Sequence, residues 1–497
     1  MSIISFSNPF RFGKRNGDDN SQQYPWRQRQ PANQLTLHPP GLAQVLQWPT
    51  RQLPRFVQRS PVAMRYYDLL APLDWERLPW RITGPRPGPQ PASPLPYIAA
   101  FLVKLDQQLL TMGRLRQYLV EHPALTWLLG FPLQYAHTAA HGFDVASSLP
   151  SPAHFSYVLR SLPNDILNFL MADTVKLIQL VLPDGIPFAQ AVSLDAKVVI
   201  AWVKENNPKA YIKEGRFDKN RQPAGDLDCR VRCKRRRNVS PEAETTPTKE
   251  GQPADKLGVG KGEFYWGYAS GIVATKVPGW GEFVLAELTQ TFDHSDVSFF
   301  HPLMAIVEAR LGFRPPFGTM DAAYDAFYTY EYFHDAGGFA AIPLAERGKT
   351  DRLFDQDGLP LCQADLAMPL KSTFINRTSL VVHERGRYAC PLLYPQATDR
   401  ICPIDHKNWP DGGCVVTMPT SIGSRIRLQL DRQSQAYKDL YKQRTAVERI
   451  FSQAANLGIE RPKLRNRHSI TNLNTLIYVL INLRAYHRIC VQRADMP

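Results

Sequence analysis

Glu448 sits in a strongly basic setting: Lys442, Arg444 and Arg449 flank it in YKQRTAVERIF, and Arg461, Lys463, Arg465 and Arg467 follow. Two further acids sit far upstream at the ends of strand-like runs, Asp195 in AVSLDAKVVI and Asp321 in PFGTMDAAYD. Asp195 interrupts an apolar strand pattern, where an ionised carboxylate is costly unless paired or bound to metal. Asp321 follows a Gly-Thr-Met run and precedes a helical pattern, which places it near the C-terminal edge of a sheet. Taken singly, each acid also suits a cap, a salt bridge or a solvated surface. Taken together, carboxylates from three separated elements are the hard oxygen ligands that two divalent ions, Mg2+ or Mn2+, share at about 4 Å. The chemistry implied is metal-dependent breaking of nucleic-acid phosphodiesters. A carboxylate pair for glycoside hydrolysis is the other option, but it requires neither the arginines around Glu448 nor so basic a chain.

Spacing assigns companions to these acids. Arg444 precedes Glu448 by four residues and Tyr441 precedes Arg444 by three, so the trio shares or nearly shares one helix face. Arg444 is placed to grip a phosphate and Tyr441 to pack against a sugar; an i,i+4 ion pair between Arg444 and Glu448 is the plainer alternative. Arg461, Lys463, Arg465 and Arg467 alternate with other residues in a turn-like segment and suit contacts to a DNA backbone, as do Lys442 and Arg449. Asp325 reads as a supporting or a surface acid. Cys390, Cys402, His406 and Cys414 supply four soft ligands in C-x11-C-x3-H-x7-C order, enough for a structural zinc or equally for unliganded thiols. Cys229 and Cys233 are a weaker pair, and neither GVGKGE nor SIGSR completes a P-loop.

The elements that must position these residues divide the chain into five. Residues 1–90 are rich in Pro, Gln and Arg and read as loosely ordered, with a helical patch at Ala63–Leu70. Residues 91–185 carry three-to-four apolar spacing (Ile98, Phe101, Leu102, Leu105, Leu109) and read as a helical domain, a DNA-binding module or a plain support. Residues 186–345 alternate strand and helix, an α/β core. Within it EFYWGYASGIVATKV is strand-like, and HPLMAIVEARLGF is a helix ended by Gly312. Short strand-like pieces such as STFINRTSLVVHE and CVVTMP make 346–433 a β-rich insertion. Helices in 434–497 complete the core, broken between Leu457 and Arg467.

The chain has 497 residues, a net charge of +14 and 21% charged residues. That length allows several domains and a sizeable core, and the basic excess suits a phosphate-rich partner. The N-terminal residues show no secretory leader and no apolar run is long enough for a bilayer, so a cytoplasmic, membrane-free protein is expected. Seven unevenly spaced cysteines do not resemble a disulfide framework.

At these residues the sequence resembles the bacterial insertion-sequence transposases with a DDE triad on a ribonuclease-H-like core, in the branch with a β-rich insertion before the glutamate. SLDAK, GTMDAAYD and the Tyr441, Arg444, Glu448 spacing of YKQRTAVERIF carry the likeness, from about Ile186 to His487. The resemblance implies a triad of Asp195, Asp321 and Glu448 binding Mg2+, with Tyr441 and Arg444 as companions. It implies cleavage of double-stranded DNA at terminal inverted repeats and joining of the freed 3′ ends to target DNA, in a complex that suits a homodimer. Gln453 and Asn456 stand where the family usually carries a basic residue. A nuclease that cuts without joining, or an inactive DNA-binding protein on the same fold, are the alternatives.

Overall fold

The computed structural model describes residues 36–80, 93–139, 141–208, 215–234, 263–345, 353–404 and 408–495. Its centre is a mixed six-stranded sheet. Strand β1 (Ala191–Ile200), β2 (Arg230–Lys234), β3 (Glu263–Val277), β4 (Gly281–Thr291), β5 (Phe317–Thr319) and β6 (Phe339–Ala341) build it. β3 pairs antiparallel with β1 on one side and with β2 and β4, end to end, on the other. β5 then adds parallel to β1 and β6 parallel to β5. Parallel neighbours need crossovers, and two helices supply them: α1 (Phe300–Leu311) between β4 and β5, and α2 (Phe327–Asp335) between β5 and β6. Gly312, at φ +76°, ends α1 in the left-handed conformation expected of it. FVLAELTQT, whose composition also suits helix, is strand: its buried run Phe283–Leu285 lies against β3 and the long C-terminal helix.

Alternation along β1 separates two cores. Val192 and Leu194 face a cluster with Phe299, Phe300 and Leu303 of the α1 layer. Val199, on the opposite face, packs with Ala446, Val447 and Ile450 of a later helix, α5. That later stretch comprises α3 (Ile422–Gln429), α4 (Gln435–Tyr441), α5 (Thr445–Asn456) and α6 (Arg467–Ala494). The break between Leu457 and Arg467 is where the sequence puts it. α3, however, falls inside 346–433 and belongs to the core. Gly423 fits so close to Phe327 O that a Cβ there would lie 2.1 Å from it. The β-rich insertion proper is a three-stranded antiparallel sheet, β7 (Leu370–Asn376), β8 (His383–Ala389) and β9 (Val415–Pro419).

Helices at 95–106, 112–121, 152–161 and 164–181 form the expected helical layer. The 18-residue Asn164–Val181 helix lies along α6. Residues 36–80 depart from the loosely ordered reading. They form short helices whose Leu42, Val45, Val57, Tyr66 and Leu70 are buried in the same core as α6. The prolines here begin helices rather than break them: Pro61 stands at the first turn of Pro61–Leu70, capped by Ser60 accepting from Ala63 N. The rest of 1–90 lies outside the described residues. No helix among the described residues is long and apolar enough to cross a membrane.

Candidate active site

Asp195 sits in mid-strand rather than at a strand end, with Ile272 opposite it on β3. It shares its face of β1 with Ser193, Lys197 and Val199, the face that α5 covers. Lys197 Nζ lies 5.9 Å from the Phe451 ring centre and pairs with Glu460 at 2.6 Å. On the parallel neighbour, Ser193 stands opposite Thr319. Asp195 and Asp321 each lie two residues beyond that pair, so the strand register brings them side by side. Asp321 Oδ1 accepts from Ala323 N at 2.8 Å, which caps the 3-10 turn Ala322–Tyr324 before α2.

Arg444 joins the third acid to the first. One guanidinium nitrogen lies 3.3 Å from Asp195 Oδ2 and the other 2.5 Å from Glu448 Oε1. Glu448 occupies the first turn of α5, where the helix dipole favours an anion. Burial alone would lower the Arg444 pKa, but Asp195, Tyr441, Glu448 and Asp321 together raise it. The expected i,i+4 ion pair therefore exists, and it is one arm of a larger cluster. Tyr441, Arg444 and Glu448 do not share one unbroken helix: α4 ends at Tyr441 and a 3-10 turn, Lys442–Arg444, leads into α5. Thr445 Oγ1 donates to Lys442 O at 2.9 Å there, a local bond that competes with regular helix. Tyr441 still borders the cluster. Burial raises its pKa, and it feels Arg444 and all three acids.

The electrostatics match the geometry. Burial, then the charge of Asp321, pushes the Asp195 carboxyl up to about 7, offset in part by Arg444 and the Ala196 N–H.

Comparisons of the chain with protein-family models, with curated proteins and with solved structures return no match.

Three carboxylates around one guanidinium leave surplus negative charge, and their hard oxygens suit Mg2+ or Mn2+. Thr319 Oγ1, Tyr324 Oη and Gln443 Oε1 are buried without a hydrogen-bond partner among the described residues. Tyr324 is held within the fields of Asp195, Asp296 and Asp321. Asp195, Asp321 and Glu448 are the residues that would hold such a cation. Among the described residues no group of three or more His, Cys, Asp or Glu side chains is placed to hold a metal ion, and Arg444 bridges two of the acids.

Several contributors escaped the sequence reading. Asp296, whose charge raises Asp195, comes from the turn before α1 and pairs with Arg232 at 3.0 Å. Its only sequence signal is DHSD at a strand end. Lys197 was visible as the polar residue two beyond Asp195. Trp202, 49% exposed, follows β1 and carries Lys463 Nζ 5.8 Å from its ring centre. It lines a cavity of about 440 Å3 with Lys204, Asn206, Arg461 and Arg465.

Arg461, Lys463, Arg465 and Arg467 are all exposed on the segment joining α5 to α6. Lys442 and Arg449, grouped with them from sequence, have acids of their own: Lys442 pairs with Asp439 at 2.8 Å and Arg449 with Glu282 at 2.6 Å. Asp325 is neither a surface acid nor part of the cluster. Its buried carboxylate holds Arg427 of α3 at 2.5 Å and accepts from Tyr330 and Ala345.

Proposed function

We propose that this chain is a DNA transposase of the DDE type, which cuts DNA at the ends of a mobile element and joins the freed 3′ ends to a target. One observation carries the reading: Arg444 bonds both Asp195 and Glu448, acids 253 residues apart, with the charge of Asp321, two residues past the end of the neighbouring strand, acting on Asp195. The strand order supports a ribonuclease-H-like core. Antiparallel strands β1, β3 and β4 lead into the parallel β5 and β6, with helical crossovers α1 and α2, and the acids lie on β1, just after β5 and on α5.

Each residue then has a task. Asp195, Asp321 and Glu448 present oxygens to Mg2+ or Mn2+, which when bound supplies charge neutralisation and an activated oxygen nucleophile. Arg444 offers its planar fork to the phosphate beside the scissile bond. Tyr441 supplies a half-buried ring and hydroxyl for the adjoining sugar. Arg461, Lys463, Arg465 and Arg467 neutralise backbone phosphates leading to the cluster. Trp202, beneath Lys463, offers a flat face to a base. Double-stranded DNA with terminal inverted repeats and a target duplex are the partners, and paired ends call for a homodimer.

Incubation of the full chain with linear DNA bearing candidate ends, with and without Mg2+, tests this. Metal-dependent cut and joined products are expected. Cutting without joining would make it a nuclease, and binding without cutting an inactive DNA-binding protein.

A further inference from the structure

The insertion has very little apolar interior. Met368, Tyr388 and Met418 form a small buried cluster, with Phe354, Leu359, Cys362, Cys414 and Val416 packed partly against it, and Ala389, Cys390 and Leu392 are buried at and just after the end of β8. Leu370, Phe374, Ile375, Leu380, Val382 and Val415 are exposed. A unit of this size with so small a core ordinarily needs a cross-link or a metal.

Thiols converge at one end of it. The β8–β9 register runs from Arg385 opposite Pro419 to Ala389 opposite Val415. One step further sets Cys390 opposite Cys414, where facing Cβ atoms lie about 5 Å apart. Gly413, at φ +83°, makes the approach possible: a Cβ there would stand 2.7 Å from Cys390 Cβ and 3.2 Å from its Sγ. Cys362 comes from a separate tight turn. Its N–H donates to Leu366 O at 2.9 Å, Asp365 N donates back to Cys362 O, and Ala364 N lies 3.4 Å from Cys362 Sγ, a donor aimed at sulfur. Cys362 and Cys414 both pack partly against the same small cluster of Met368, Tyr388 and Met418.

We propose that Cys362, Cys390 and Cys414 bind a zinc ion that staples the insertion, each thiol releasing its proton to solvent as its sulfur becomes a ligand. This changes the ligand set read from the sequence. Cys390 and Cys414 stay, Cys362 joins them, and His406 lies outside the described residues. Cys402 is half-buried on the connection between β8 and β9. The thiols do not stand in coordination geometry as they are; rotation about χ1 is the freedom each has to reach it.

The full chain, purified under reducing conditions from zinc-supplemented cells, is analysed for metal by mass spectrometry. About one zinc per chain is expected, as for a structural site. Titration of the wild type with an organomercurial should release that zinc in step with about three thiols, a readout that needs no variant to fold. Cys362→Ser, Cys390→Ser and Cys414→Ser should each lose the metal. Cys490→Ser, in α6, and Asp195→Asn should keep it, which separates this site from the acidic cluster. Cobalt exchanged into the wild type should show thiolate-to-metal charge-transfer absorption. Protein without stoichiometric zinc, or with a Cys390–Cys414 disulfide in a non-reducing peptide map, would overturn the proposal.

Discussion

Asp195 is costly where it stands, because it is desolvated on a buried strand, crowded by Asp321 and only partly compensated by Arg444. Asp195→Asn, Asp321→Asn and Glu448→Gln should each abolish strand cleavage while sparing DNA binding, measured by product analysis beside a mobility-shift titration. Normal cleavage by any one of them would remove that acid from the mechanism. The same burial gives a pH signature. A folded-state pKa raised to about 7, against about 4 in the unfolded chain, means that the native state holds the proton longer. Stability without divalent ions should therefore fall as pH rises through the interval between those values, and stay low above it. Glu287, fully buried and likewise raised to about 7 by burial, adds to the same slope. In chemical denaturation Asp195→Asn should flatten this slope and stabilise the protein at pH 8 by up to a few kcal/mol. Added Mg2+ should raise the melting temperature of the wild type more at pH 8 than at pH 5.5.

Elements, rather than single residues, hold the cluster in place. α3 is fastened to the turn after Asp321 by Arg427, whose partner Asp325 has no exposed side-chain surface. Arg427→Ala strands that carboxylate and should cost about 3–5 kcal/mol in urea unfolding. A loss below 1 kcal/mol would show that this pair does not fasten the helix. The segment between α5 and α6 does a different job, since its cations are exposed and its backbone is anchored to the sheet through Ile200 N donating to Glu460 O at 2.8 Å. Replacing both Arg465 and Arg467 by Ala should weaken binding to any DNA sequence. It should also reduce the slope of log affinity against log salt by about two. An unchanged slope would place the phosphates elsewhere.

Across the whole molecule, α6 is the common support. Asn482 bridges Val284 on the sheet and Thr174 on the Asn164–Val181 helix, and Arg484 meets Asp106 at 2.6 Å. Asp106 also takes Arg65 and Tyr66 from the N-terminal helices. Residues 36–80 are thus part of the body that holds α6. Tyr66→Ala, fully buried at that junction, should destabilise the protein by about 3–5 kcal/mol. If 36–80 were a detachable arm, global unfolding would be unaffected.

The candidate site residues stood out in the sequence because their types are expensive or unusual in their setting: an acid within an apolar strand, an arginine four before a glutamate, cations in a helix break. Period-two and three-to-four patterns gave β1, β3, α1 and the long helices. The helical patch at Ala63–Leu70 was read correctly, but local pattern misled over the rest of 36–80, where proline density hid the short helices Leu42–Gln47 and Arg55–Gln58, and at α3, whose place depends on Gly423 meeting a distant backbone. Asp296, Tyr324 and Cys362 were missed, since only their meeting with distant residues in the fold distinguishes them from their neighbours. The chain's own order thus determined which side chains and which repeating elements exist. Which of them meet was decided by strand register and helix packing, because one residue of slip on β1 would turn Asp195 to the opposite face of the sheet.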